Sequence, residues 1–170
     1  VSTGSSPSFT LKAVDALGGA VGNTVEYVLD ANGNATRVTT TEFNQRTGAL
    51  ETFVVSHVFD ALDRRTGSVE DPGGLALPTG MKYNSLNDNT VVIDGEGKAT
   101  RRTFDGLSRL IGTKYDDGGL NIQVLQGWDG NSRMLNQTDA NGNRTAYAYT
   151  SRDQPNLITY ADGTTKGMTY

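Results

Sequence analysis

The chain has 170 residues, 35% of them hydrophobic and 21 of them Gly, with a formal net charge of −4 and a pI near 4.9. This length can bury one ordinary core, yet so little apolar material predicts a thin core shared along an array rather than a compact ball. The acidic balance argues against a nucleic-acid surface, the absence of Cys removes disulfides and thiolate chemistry, and no apolar run approaches the roughly 18 residues needed to span a membrane as a helix.

Residues 1–8, Val-Ser-Thr-Gly-Ser-Ser-Pro-Ser, read as a flexible lead-in. From about Phe9 the pattern becomes strand-like. Asp15-Ala16-Leu17-Gly18-Gly19 and Asp30-Ala31-Asn32-Gly33-Asn34 are turn sequences, because Gly tolerates positive φ and Asn or Asp bonds back onto its own backbone. Between Asn34 and Phe59 the spacing is irregular, with Phe43-Asn44-Gln45-Arg46-Thr47-Gly48 as a degenerate copy of a later phrase. Residues 9–58 are therefore expected to form irregular β-repeats, and 59–170 regular ones.

The regular region opens on Phe59-Asp60-Ala61-Leu62-Asp63-Arg64. Aromatic residues follow at positions 83, 104, 128, 149 and 170, spaced 21, 24, 21 and 21 residues apart. Their phrases are Tyr83-Asn84-Ser85-Leu86, Phe104-Asp105-Gly106-Leu107-Ser108-Arg109-Leu110, Trp128-Asp129-Gly130-Asn131-Ser132-Arg133-Met134 and Tyr149-Thr150-Ser151-Arg152. A second ladder, Gly73, Gly97, Gly118, Gly142 and Gly163, keeps step at spacings of 24, 21, 24 and 21 residues. Each unit thus holds two turns, one marked by aromatic-Asp and one by Gly, with room between them for two short strands. Thr145, Tyr147 and Tyr149 alternate with Ala146 and Ala148, as they would on a pleated strand. Leu110-Ile111-Gly112-Thr113-Lys114-Tyr115 and Asn156-Leu157-Ile158-Thr159-Tyr160 are rich in β-formers, and no long window carries a helical stripe. The fold class is all-β, built of antiparallel hairpins. The segment from Asp71 to Gly80, with two Pro and three Gly, predicts a looped edge rather than a central strand.

The pattern aromatic-Asp-x-x-x-Arg-Leu, then a strand, an Asp-x-x-Gly turn and a returning strand, resembles the YD repeats of the Rhs family. The same repeats occur in the C components of insecticidal Tc toxins and in teneurins. Phe104 to Leu110 matches the family's Tyr-Asp-x-x-Gly-Arg-Leu with Ser108 at the usual Gly, and Asp139 to Tyr149 matches the companion half-repeat. The resemblance covers roughly residues 25–170, with Asn84 and Thr150 in place of Asp and Trp128 in place of Tyr. It implies a β-strand ribbon spiralling into a hollow shell. The segment would be wall in a secreted or extracellular bacterial effector, held in the cytoplasm before export. Its partners would be the rest of the parent shell, or another copy of itself, and an enclosed toxin polypeptide. The alternative is an extracellular binding module whose aromatics, Trp128 foremost, recognise glycans or a cell-surface partner. Val1 at the start and Tyr170 opening another phrase suggest a piece of something longer, truncated within the repeats.

Catalytic readings are outweighed by structural ones. His57 is the sole histidine, and its neighbour Ser56 would point to the opposite face of a strand, so the two cannot form a dyad. The recurring carboxylates, Asp60, Asp105 and Asp129 after the aromatic and Asp94, Asp116 and Asp139 before the Gly, suit turn capping, since single-use acid–base chemistry needs no copy per unit. The Asp30 and Asp139 phrases resemble calcium loops superficially, but Gly falls fourth rather than sixth and no closing Glu follows. Family members that release a toxin cleave themselves near paired Asp-Pro-x-Gly motifs; Asp71-Pro72-Gly73-Gly74 fits one, has no second copy after it, and reads as an ordinary turn. No enzyme activity, cofactor or metal is expected. The repeat-defining structural residues are Phe59, Asp60, Tyr83, Phe104, Asp105, Arg109, Trp128, Asp129, Arg133 and Tyr149, with the five ladder glycines.

Overall fold

The structure, a computed structural model, describes the backbone at residues 8–14 and 20–170 and side chains from residue 23 onward. The expected lead-in lies outside the described residues as far as residue 7, and the turn expected at 15–19 does so entirely. Ser8, assigned to the lead-in from sequence, instead opens the first strand.

Among the described residues the chain forms fourteen strands and no helix. Contacts divide it into two compact units, one running to Met81 with Asp94–Gly97 added, the other comprising Lys82–Ile93 and Lys98–Tyr170. The first unit holds β1 (Ser8–Val14), β2 (Ala20–Leu29), β3 (Ala35–Asn44), β4 (Ala49–Phe59) and β5 (Arg65–Glu70). The division falls within β6 (Leu77–Tyr83). The second unit holds β7 (Asn89–Ile93), β8 (Ala99–Phe104), β9 (Leu110–Tyr115), β10 (Ile122–Trp128), β11 (Met134–Thr138), β12 (Arg144–Tyr149), β13 (Pro155–Thr159) and β14 (Thr165–Gly167).

Within each unit strands follow chain order and pair antiparallel with their sequence neighbours. Hairpin succession of this kind follows from turns every few residues, since each short connection leaves the next strand nowhere to pair except beside the last. The register shifts by one residue at Val28/Leu29, Val58/Phe59, Thr103/Phe104, Gly127/Trp128 and Ala148/Tyr149. Each shift is a bulge directly before a turn, so four aromatics of the ladder sit where twist increases locally.

The core is as thin as composition predicts. Among the described residues only Val91, Gly112 and Thr113 are buried, all in the second unit. Elsewhere side chains are half-buried on sheet faces, so main-chain pairing and turn geometry carry the architecture. β3 and β4 are 10 and 11 residues long, against 5 to 7 for β5 through β13, which accounts for the irregular spacing between Asn34 and Phe59.

Candidate functional site

The features that recur are the turns, and within each unit they fall into two sets, or rows, one at each end of the strands. One row joins each even strand to the next odd one, at residues 30–34, 60–64, 84–88, 105–109, 129–133 and 150–154. The other row includes 71–76, 94–98, 116–121, 139–143 and 160–164. Sequence reading treats aromatic-marked and Gly-marked turns as different kinds, yet most share one backbone form. Residue i donates its N–H to the carbonyl of i+4 and accepts from the N–H of i+3, as in Asp105 with Arg109 (3.0 Å) and Ser108 (3.1 Å), and in Asp139 with Asn143 (3.0 Å) and Gly142 (3.0 Å).

This is a type I turn closed by a left-handed residue at i+3. Gly97, Gly142 and Gly163 fill that place at φ of 81–83°, whereas Asp63, Asn87, Ser108, Ser132 and Asp153 adopt it at 57–68° without being Gly. The Asp30 phrase, grouped with the Gly turns by its residues, lies in the aromatic row, with Leu29 in the aromatic's place. The Phe43 phrase, grouped with the aromatic turns, joins β3 to β4 and so belongs to the opposite row.

The first residue of each turn is its cap. One oxygen of Asp105 accepts the N–H groups of Leu107 (2.9 Å) and Arg109 (3.0 Å), and the other accepts Arg109 Nε (2.6 Å). Asp60 and Asp129 repeat the arrangement with Arg64 and Arg133, and Asp139 uses Asn143 in place of an arginine. Asn84 and Thr150, which depart from Asp in sequence, keep the two main-chain bonds through Oδ1 and Oγ1. Where Asn84 replaces Asp, Asp88 replaces Arg and accepts from Asn84 Nδ2 at 2.8 Å, so the pair survives with donor and acceptor exchanged. These bonds set the carboxyl pKa values. The Arg64 side chain holds Asp60 below its ordinary 3.8, and the Arg133 N–H and then its guanidinium do so for Asp129. Burial pushes Asp105 up, but main-chain and guanidinium donors outweigh it and the net direction is down.

Consecutive turns of the aromatic row are tied to one another. Arg109 Nη1 donates to the Asp129 carbonyl (2.6 Å) and to Ser132 Oγ (3.3 Å), and Arg133 Nη1 donates to Asp153 Oδ1 (2.7 Å). Ser108 Oγ donates to Asp88 Oδ2 at 3.1 Å. In the first unit, Nδ2 of Asn32 and of Asn34 both donate to Asp63 Oδ1, at 2.8 and 2.7 Å. Each arginine thus serves its own turn through Nε and the next turn through Nη1, a division of labour that a planar fork allows and an ammonium does not.

The aromatics make a second tie. Trp128 Nε1 donates to the Leu110 carbonyl (2.7 Å), Tyr149 OH to that of Met134 (2.9 Å) and Tyr170 OH to that of Pro155 (2.9 Å). Every acceptor is the first residue of a strand leaving the preceding aromatic turn. Trp128 therefore keeps the donor of the tyrosine it replaces, while Phe104 has none to offer. Arg133 also lies 5.2 Å from the Tyr149 ring centre.

The RHS Repeat family model matches residues 128–165, which hold the Trp128 and Tyr149 turns with the Gly142 turn between them. This is a YD/Rhs repeat segment. A chain of the crystal structure of TcdB2-TccC3-Cdc42 shares its fold, with a TM-score of 0.54 and 13% identity over 84% of this chain and 10% of that one. A chain of the TcdB2-TccC3 crystal structure aligns at a TM-score of 0.44 and 12% identity, over 90% of this chain and 11% of that one. The YD-repeat segment therefore spans about a tenth of the solved chains it matches. A search of curated proteins finds no match.

The YD-repeat segment brings none of the single-use candidates together into a reactive site. Ser56 pairs with Val69 and His57 with Ser68, so the two neighbours face opposite ways. His57 Nδ1 is buried with no hydrogen-bond partner, and Ser68 Oγ pairs with Thr79 Oγ1 (2.7 Å) instead. Burial, and then the charge of Arg65, hold the imidazole below its ordinary 6.5. Among the described residues no cluster of His, Asp or Glu is placed to hold a metal ion, and no helix is long and apolar enough to cross a membrane.

Two further features escaped sequence reading. Gly73 does not take positive φ; in its turn Asp71 (47°) and Ala76 (49°) do. The turn 71–76 shares its left-handed ends with 116–121, where Asp116 (49°) and Asn121 (55°) play the same parts, and differs from it at Gly118, which is left-handed (106°) where Gly73 is not. In both the leading carboxylate folds over a Gly, Gly74 or Gly119, and accepts the N–H of the next residue, Leu75 (3.2 Å) or Leu120 (2.9 Å). The shared phrase Asp-x-Gly-Gly-Leu was the available signal.

Proposed function

We propose that this YD/Rhs repeat segment is structural: a length of wall in the shell of a bacterial toxin, which surrounds a polypeptide effector and helps deliver it. The observation that carries the reading is the pair of turns in which Arg109 and Arg133 each bind the cap of their own turn and grip the next turn of the row. Such a device holds successive hairpins in fixed register along an array and offers no reactive group to a substrate. On this reading Asp60, Asp105, Asp129, Arg109 and Arg133, with the aromatics and glycines, define the repeat and catalyse nothing. The partners are the rest of the parent shell and the enclosed toxin, and the parent works outside the cell that makes it. The fold likeness to part of the TcdB2-TccC3-Cdc42 structure supports the shell reading.

The glycan-binding alternative is weaker, because Trp128 is half-buried and its ring N–H is committed to the Leu110 carbonyl. Electron microscopy of the full-length parent tests the proposal. A closed particle with an internal cavity is expected, and a solid particle would sink it.

A further inference from the structure

The turns 71–76 and 116–121 are alike, but the strands beside them are not. Asp117 donates its N–H to Ala99, the first residue of β8, so that strand begins where the turn closes. Asp71 donates to Val54, and β4 carries five further residues beyond it, Ala49 to Phe53. On its inner side this overhang pairs with β3, from Thr40↔Phe53 to Asn44↔Ala49. On its outer side the outermost pair with β5 is Val55↔Glu70.

Main-chain groups alternate sides along a strand. Since the Val54 carbonyl faces outward, so do the N–H and C=O groups of Thr52 and Leu50, and no described residue bonds them. The overhang is therefore an open edge roughly 16 Å long at about 3.3 Å per residue, in the interior of the chain.

Beside that edge lies a hollow of about 320 Å³ lined by Phe53, Val55, Glu70, Leu75 and Leu77 among others. Phe53 is 54% and Leu75 81% exposed. Glu42 and Glu51 stand directly opposite each other on the same sheet face as Phe53, and with Glu70 they give three carboxylates without an ion pair among the described residues. Like charges facing each other across a ladder are unfavourable until a cation joins them.

We propose that the β4 overhang binds an extended polypeptide segment by strand addition, with an apolar side chain in the Phe53–Leu75–Leu77 hollow and a Lys or Arg two residues along against Glu51 and Glu42. Main-chain bonds at Thr52 and Leu50 supply the register, and the alternating apolar and basic side chains supply the choice of partner. The proposal is independent of the shell reading, and the shape of the parent particle does not bear on it.

Titration of a fluorescent hexapeptide, Thr-Leu-Thr-Lys-Thr-Lys, into the 170-residue chain tests it by anisotropy. Saturable binding that weakens with added salt is expected, with no binding of the probe in which Glu replaces Lys. Thr52→Pro removes an outward N–H, keeps the main-chain ladder to β3 while losing the Thr52 Oγ1–Thr41 Oγ1 contact (3.4 Å), and is expected to weaken binding about tenfold, as for one lost main-chain hydrogen bond. A probe N-methylated at alternate residues leaves the protein unchanged and is expected to lose binding likewise. Absence of saturable binding, or equal binding of the N-methylated probe, would overturn the proposal. Sedimentation showing a dimer that Thr52→Pro dissociates would also overturn it, assigning the edge to a second copy of the chain.

Discussion

Replacing Gly142 by Ala isolates the energetic cost of the left-handed turn residue. Gly142 has φ of +83°, and a Cβ built there meets no atom within 4 Å, so the change introduces strain but no collision. An L-residue forced left-handed costs about 1–2 kcal/mol. Ala also restricts the unfolded chain, returning about 0.4–1 kcal/mol. The net loss is therefore about 1 kcal/mol. Gly130, in the neighbouring turn of the same unit, is the control: its Cβ also meets nothing within 4 Å, and its φ is not left-handed. Gly130→Ala keeps the unfolded-state gain without the strain and is expected to stabilise by about 0.4–1 kcal/mol. That gain cancels between the two variants, so their difference, about 1–2 kcal/mol, reports φ alone. Gly142→Asn falls between them, because Asn87 already adopts this conformation at 68°. Urea unfolding followed by circular dichroism, with an unchanged slope, measures the series. A Gly142→Ala variant as stable as Gly130→Ala would refute the argument.

The aromatic ties depend on a donor rather than a ring: Trp128→Tyr is expected to be more stable than Trp128→Phe by about 1 kcal/mol in the same assay, the worth of one hydrogen bond. Arg109→Lys loses the fork that serves two turns and is expected to cost about 1 kcal/mol, whereas Arg152→Lys, whose side chain makes no such contact, stays within about 0.5 kcal/mol. Acid acts in two windows. His57 is held below 6.5 in the folded chain, so its contribution is present above that pH and lost as pH falls through the folded value. Asp60, Asp105, Asp129 and Asp139 are held below 3.8, so theirs is lost only as pH falls below about 4. Urea midpoints against pH should show both falls, and His57→Gln should remove the upper one only.

Much of this molecule is local and was therefore legible. The caps run from residue i to i+2 and i+4, so Asp, Asn or Thr at a turn's start is a complete signal in five residues. The identity of the left-handed residue was half visible: Gly marks it at 97, 142 and 163, but Ser108 and Ser132 reach the same φ and give no sign of it. Sequence grouped the Asp30 and Phe43 phrases by their residues, and strand parity placed each in the opposite row, because a row is decided by how many strands precede a turn.

The repeat period, the all-β hairpin succession and the capped turns were determined by sequence, since each rests on contacts within five residues or on a spacing that counts directly. The tertiary structure decided what lies 15 to 31 residues apart: Arg109 on Asp129, Arg133 on Asp153, Asn32 on Asp63 and Tyr149 on Met134. It also decided that β4 outruns β5 and leaves an open edge. Those facts depend on pairing register, and register is fixed only when two strands meet, each bulge shifting every later partner by one residue.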